Sequence, residues 1–130
     1  MVGVIPAEVE LSKRPEGHGY VEVTVAAENP WFPLGLVLHG HEFHHSRLLV
    51  AEEPPATAYR VTRGHGIDGH VDGIFYKNMF ASYTHLHVLG TPQWAKSFVH
   101  LALKYRETRT AVETGQTLTQ RRGGHMALGS

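Results

Sequence analysis

The alternation running from Gly19 to Ala26 constrains this chain most. Tyr20, Glu22 and Thr24 take turns with Val21, Val23 and Val25. Side chains two apart on an extended backbone share a face, so the segment reads as a strand with one buried, valine-lined side. Such a strand needs partners, and the chain offers short pieces to supply them. Gly35 to Leu38 runs into a histidine-rich stretch and out through Ser46 to Val50, two strand pieces around a kink. Thr57 to Thr62, Ile74 to Tyr76 and Phe80 to Val88 read as further strands, and Met1 to Pro6 as a strand entering mid-domain. Asn29-Pro30, Glu52-Glu53-Pro54-Pro55, Gly64 to Gly69 and Asp72-Gly73 read as turns and loops between them. Gly17-His18-Gly19-Tyr20 reads as a turn leading into the first of these strands, and Trp31-Phe32-Pro33-Leu34 as an exposed loop or a partner surface. Thr91-Pro92 then opens a helix, with Thr as N-cap and Pro at the first helical position. Trp94, Phe98, Leu101 and Tyr105 form its apolar stripe, and it runs to about Arg106. The expected organisation is one domain over residues 1–106, followed by a polar, disordered tail over 107–130. The end of that tail, from Gly123, reads as vector-derived.

Composition narrows the function classes. At 130 residues the chain suffices for one domain with a modest core. Twelve basic residues balance twelve acidic ones, so no general affinity for nucleic acid or acidic membranes is expected. No stretch reaches the roughly twenty apolar residues of a membrane span, and Met1 to Pro6 is too short for a signal peptide and lacks its basic start. Cysteine is absent, which removes disulfides, thiolate metal sites and a cysteine nucleophile within these residues and fits a cytoplasmic location. A glycine-rich phosphate loop of the GxxxxGK[ST] kind and a serine nucleophile elbow are also absent.

Histidine is where the chemistry concentrates. Six of the eleven histidines lie in two segments, His39-Gly40-His41-Glu42-Phe43-His44-His45-Ser46-Arg47 and Ala81-Ser82-Tyr83-Thr84-His85-Leu86-His87. In an extended segment His85 and His87 share a face, about 6–7 Å apart, where one could serve as a general base. The alternative is a pair of polar residues satisfied within a sheet. In the upstream segment an extended chain puts Glu42 and His44 on one face and His41, Phe43 and His45 on the other. A carboxylate beside an imidazole fixes its tautomer; equally, the pair is a mixed-polarity strand. A third reading lets His39/His41 and His85/His87 ligate zinc or nickel.

Taken in order, MVGVIPAEV, GHGYVEV, GHEFHHSRL, DGIFYKN, ASYTHLH and a helix beginning TPQWAKSFV resemble the C-terminal part of the glutaminase domain of the cobyrinic acid a,c-diamide synthase family. These are class I glutamine amidotransferases of the cobyrinic/cobyric acid synthase group. The resemblance covers Met1 to about Tyr105 and implies an α/β fragment, a mixed β-sheet of short strands with a C-terminal helix. It implies an enzyme that amidates the a- and c-carboxylates of a tetrapyrrole with glutamine-derived ammonia, ATP and Mg2+. Sirohaem and other tetrapyrroles are the alternative substrates, and a non-catalytic, histidine-rich metal-binding module is the alternative outside the family. In the family a cysteine attacks the glutamine amide and a histidine activates it. Ser82-Tyr83-Thr84-His85 matches the SYxH pattern, so the resemblance implies that His85 is that histidine, with His87 as second choice and Glu42 and His44 shaping the site. His87 is followed by Val88-Leu89 rather than by the His-Pro-Glu ending of other class I members. With no cysteine here, the nucleophile and the ATP-binding segment are expected upstream of Met1. The chain is expected to be inactive alone, to require the other half of its glutaminase domain, to bind no cofactor or metal itself, and to self-associate.

Overall fold

The computed structural model describes residues 3–50 and 53–122. The chain falls into two compact units, residues 1–97 and 98–130. The first carries the strands: β1 (Ala7–Leu11), β2 (Gly17–Val25), β3 (Val37–His44), β4 (Ser46–Val50), β5 (Thr57–Arg63), β6 (Val71–Tyr76) and β7 (Met79–Ala81). A single helix, α1 (Gln93–Arg122), begins in the first unit and supplies the described part of the second. No helix among the described residues is long and apolar enough to cross a membrane.

The strands form two sheets, and every pairing between them is antiparallel. β1 pairs with β4, and the order of the larger sheet is β3-β2-β5-β6-β7. The expected α/β fragment of short strands with a C-terminal helix is what the chain forms. Val21, Val23 and Val25 are buried while Tyr20 is exposed, as the alternation requires. They meet Phe32, Leu38, Ala58 and Tyr59, with Trp31, Leu36, Val61, Phe75, Phe80 and Leu86 packed around them. The kink between the two histidine-rich strand pieces falls at His45, where β3 gives way to β4 and the chain changes sheets.

The larger sheet is curled until its edges meet. β3 and β7 are its two edge strands, and His85, four residues past the end of β7 at Ala81, forms an antiparallel bridge with His41 of β3. The chain leaving one edge strand therefore stitches onto the other.

Several local expectations are corrected. The N-terminal strand is Ala7–Leu11 rather than Met1–Pro6; residues 1 and 2 lie outside the described residues. Gly17 already belongs to β2, and Asp72 and Gly73 lie inside β6 rather than in a turn. The Trp31–Leu34 loop is not simply an exposed surface. Asn29 Oδ1 accepts from the Trp31 and Phe32 amides at 2.9 Å each, a local turn that folds Phe32 into the core at 6% exposure. Thr91 precedes α1 as expected, but its hydroxyl is buried without a hydrogen-bond partner, so it does not cap through its side chain. The helix passes Arg106 and continues to Arg122. Where a disordered tail was expected, the hydroxyls of Thr108, Thr110 and Thr114 donate to carbonyls four residues back at 2.8–3.0 Å, and Arg109 reaches Glu113 at 3.3 Å. Residues from Gly123 onward, and Glu52 of the Glu52–Pro55 loop, lie outside the described residues.

Candidate active site

The two histidine-rich segments, 37 to 44 positions apart at their points of contact, form one structure. Three successive residues of the second segment each lock onto a different partner. Tyr83 lays its ring on that of His44, centroids 3.8 Å apart and 17° from parallel, and its hydroxyl meets Ser46 Oγ at 3.1 Å. Thr84 is buried, and its amide and hydroxyl both donate to Asp72 Oδ2, at 2.8 and 2.6 Å. His85 pairs with His41: the His85 amide donates to the His41 carbonyl at 2.8 Å, and the His41 amide donates back at 3.2 Å.

The expected strand from Phe80 to Val88 is therefore not formed; strand β7 ends at Ala81. The Tyr83 and Thr84 amides, which a ladder would need, are taken by the Asp72 carboxylate at 3.1 and 2.8 Å. The expectation that His85 and His87 share a strand face lapses with it.

His85 is the exposed residue of this assembly with a defined ring orientation. Its Nδ1 lies 3.0 Å from the His41 carbonyl oxygen. A carbonyl only accepts, so Nδ1 carries the proton and Nε2 keeps its lone pair. That is the tautomer a base needs, fixed here by a main-chain acceptor rather than a carboxylate. The His41 ring stacks on it, centroids 5.0 Å apart and 17° from parallel. His87 is placed differently. It sits in the turn before α1, where its carbonyl accepts from the Gly90 and Thr91 amides and its Nδ1 accepts from the Leu89 amide at 3.2 Å. The ring proton then belongs on Nε2, which leaves His87 without a free basic nitrogen.

Glu42 and His44 are brought together, on the buried face of β3 as the alternation implies. Glu42 accepts from the His65 amide at 2.6 Å and the Gly66 amide at 2.9 Å, and its Oε2 lies 3.3 Å from His44 Nε2. His44 Nδ1 donates to the Ser46 carbonyl at 2.8 Å. The pair holds the 64–66 turn against β3 and offers the ring on which Tyr83 stacks. Their link to the second segment runs through the stacked Tyr83 ring. Space for this is made by Gly17 and Gly64, where a Cβ would come within 2.7 and 2.8 Å of Glu42 oxygens.

The metal reading finds no convergence. His39 is paired with Glu22 at 3.0 Å, and no group of three or more His, Cys, Asp or Glu side chains is gathered to hold a metal among the described residues. Sequence reasoning passed over Asp72 and Thr84, and weighed His41 only as a metal ligand and a strand-face residue. The Asp72-Gly73 pair carries the signature of a turn, and only the sheet's curl brings Asp72 beneath the second segment. His41 acts through its backbone, to which residue type gives no clue.

Comparison with known proteins gives the family. Residues 1–93 match the family described as the CobB/CobQ-like glutamine amidotransferase domain. Among curated proteins, a cobyrinate a,c-diamide synthase of Magnetococcus marinus is 43% identical over 95 residues, covering 73% of this chain and 20% of that protein. One of Methanothermobacter thermautotrophicus is 38% identical over 105 residues, covering 81% of this chain and 23% of its own length. The chain thus spans about a fifth of the curated relatives it matches. No solved structure matches it. With a family match over residues 1–93, and with the two motifs that suggested it interlocked in space, this chain belongs to the CobB/CobQ-like glutamine amidotransferase domain family.

Proposed function

We propose that the chain carries the general base of a glutaminase within a tetrapyrrole amidase of the cobyrinate a,c-diamide synthase kind. The observation that carries this reading is the ring of His85, with Nδ1–H held by the His41 carbonyl and Nε2 free. The cysteine is supplied from outside these residues, since none occurs here. His85 Nε2 takes the thiol proton, and the thiolate attacks the glutamine side-chain carbonyl carbon to form a tetrahedral adduct. Collapse breaks the C–N bond, and the leaving nitrogen takes the proton from His85 and departs as ammonia, leaving a thioester. Water attacks the thioester, giving its proton to Nε2. The C–S bond breaks, the thiolate is reprotonated and glutamate leaves. In the full-length parent the ammonia would attack an activated tetrapyrrole carboxyl and displace its leaving group, giving the amide.

The resemblance also implies ATP and Mg2+. Glu42 and Asp72, the buried carboxylates, engage all their oxygens with internal donors. Neither of these carboxylates is therefore open to Mg2+, and no step is routed through that group.

The test is glutamine-dependent ammonia release by the full-length protein containing this chain, beside its His85→Ala variant and the 130-residue chain alone. The expected result is a loss of about 10²–10⁴-fold in the variant and no release by the isolated chain. Activity indifferent to His85 overturns the assignment.

A further inference from the structure

Asp72 is a buried carboxylate with no role in the chemistry above. Its side chain is 0% exposed, and taking a charge out of water is costly unless strong hydrogen bonds compensate. Its hydrogen-bond donors among the described residues come from the two residues that precede His85. The Tyr83 amide reaches Oδ1 at 3.1 Å, and the Thr84 amide and hydroxyl reach Oδ2 at 2.8 and 2.6 Å. Hydrogen bonds to an ionised acceptor are shorter and roughly twice as strong as neutral ones. A residue on β6 thus holds the main chain one step ahead of the candidate base.

Thr84 completes the hold. Its hydroxyl is on Asp72, and its methyl carbon points at Gly40 of β3, 3.2 Å from where a Cβ there would stand. Its own carbonyl accepts from Ser82 Oγ at 2.8 Å. Thr84 is therefore clamped between β6 and β3, and the next residue makes the two backbone bonds and the ring bond to His41. Moving Thr84 along the chain direction would carry His85 Nδ1 off the His41 carbonyl and free its ring to change tautomer.

We propose that Asp72 and Thr84 are positioning residues that set the register and tautomer of His85. The proposal rests on the reading of His85 as the glutaminase base. Neither residue touches the reacting atoms; both act through the placement of Nε2. A displacement of about 1 Å at a reacting group can cost up to about 100-fold in rate, so the effect belongs in kcat rather than in glutamine binding.

The experiment pairs Thr84→Val with Thr84→Ser. Valine keeps the methyl facing Gly40 and loses the hydroxyl bond to Asp72; serine keeps the hydroxyl. In the full-length protein, Thr84→Val is expected to lower kcat for ammonia release by about 10- to 100-fold with KM for glutamine within about twofold, and Thr84→Ser to restore most of it. In the 130-residue chain, histidine ring-nitrogen NMR shifts should place the His85 proton on Nδ1 in the parent and Thr84→Ser proteins. In Thr84→Val they should show an exchanging mixture. Asp72→Asn, which retains only one acceptor oxygen, should resemble Thr84→Val; if it fails to fold, the Thr84 pair decides. Unchanged kcat and an unchanged tautomer in Thr84→Val overturn the proposal, as does a loss that serine does not recover. If glutamine hydrolysis ignores His85→Ala while the tautomer still follows Thr84, the glutaminase reading fails and the positioning stands.

Discussion

Tyr59 shows how one atom can be left in debt by the packing around it. Its side chain is 1% exposed, and its hydroxyl has no hydrogen-bond partner among the described residues. Burial, and then the negative charge of Asp72, raise its pKa above the ordinary tyrosine value. The neutral phenol is thus the form the folded state favours. Stability from that preference is complete below about pH 10, the unfolded value, and is lost as pH rises toward the folded one. Tyr59→Phe removes both liabilities. It should raise unfolding stability at neutral pH by about 1 kcal/mol and flatten the alkaline loss, measured by urea unfolding at neutral pH and at about pH 11. A less stable phenylalanine variant at neutral pH would show that the hydroxyl is satisfied after all.

The stitch between the sheet's edges depends on a glycine. A Cβ at Gly40 would stand 2.4 Å from the His85 carbonyl oxygen and 3.2 Å from the Thr84 methyl. The first of these is backbone and cannot swing aside. Gly40→Ala should therefore push the 82–88 segment off β3, costing about 1–3 kcal/mol of stability and glutaminase activity with it; denaturant unfolding and ammonia release check both. A variant with parental stability and activity would mean the seam is dispensable. That seam also separates what was legible in the sequence from what was not. Val21, Val23 and Val25 alternate because β2 has one wet and one dry side, and the pattern is written in residue types. Glu42 and His44 follow the same rule and were placed together on that basis. Ala7, Val9 and Leu11 alternate with Glu8 and Glu10 as well, and β1 could have been read from them. The 82–88 segment offered only polar alternation, and its amides go to a carboxylate more than ten residues back, which no local pattern records. Glu107 to Arg122 lacks an apolar stripe. Its backbone is helical without a periodic apolar signal, and Thr108, Thr110 and Thr114 turn their hydroxyls back onto its own carbonyls.

At the scale of the whole molecule, the small β1–β4 sheet has two strands and so two open edges. Arg47 and Glu10 pair across it at 2.7 Å, yet Val9 and Leu11 stand 61% and 82% exposed on β1. Unpaired edges with apolar side chains invite strand addition. The 130-residue chain should self-associate as its concentration rises, with Val9→Lys and Leu11→Glu shifting sedimentation toward monomer. A monomeric profile throughout would place the cover on these strands elsewhere. The closure of the larger sheet has a consequence of another kind. What orients His85 is the main-chain oxygen of residue 41, which every amino acid provides. An alanine scan would register nothing of this contact: His41→Ala deletes a ring and leaves the acceptor in place. The orientation of the candidate base is thereby insulated from drift at position 41 and tied to the path of the backbone. Substitution at position 41 can reach it only by bending β3, whereas an ester in place of the peptide bond between residues 41 and 42 would weaken that acceptor without altering a single side chain.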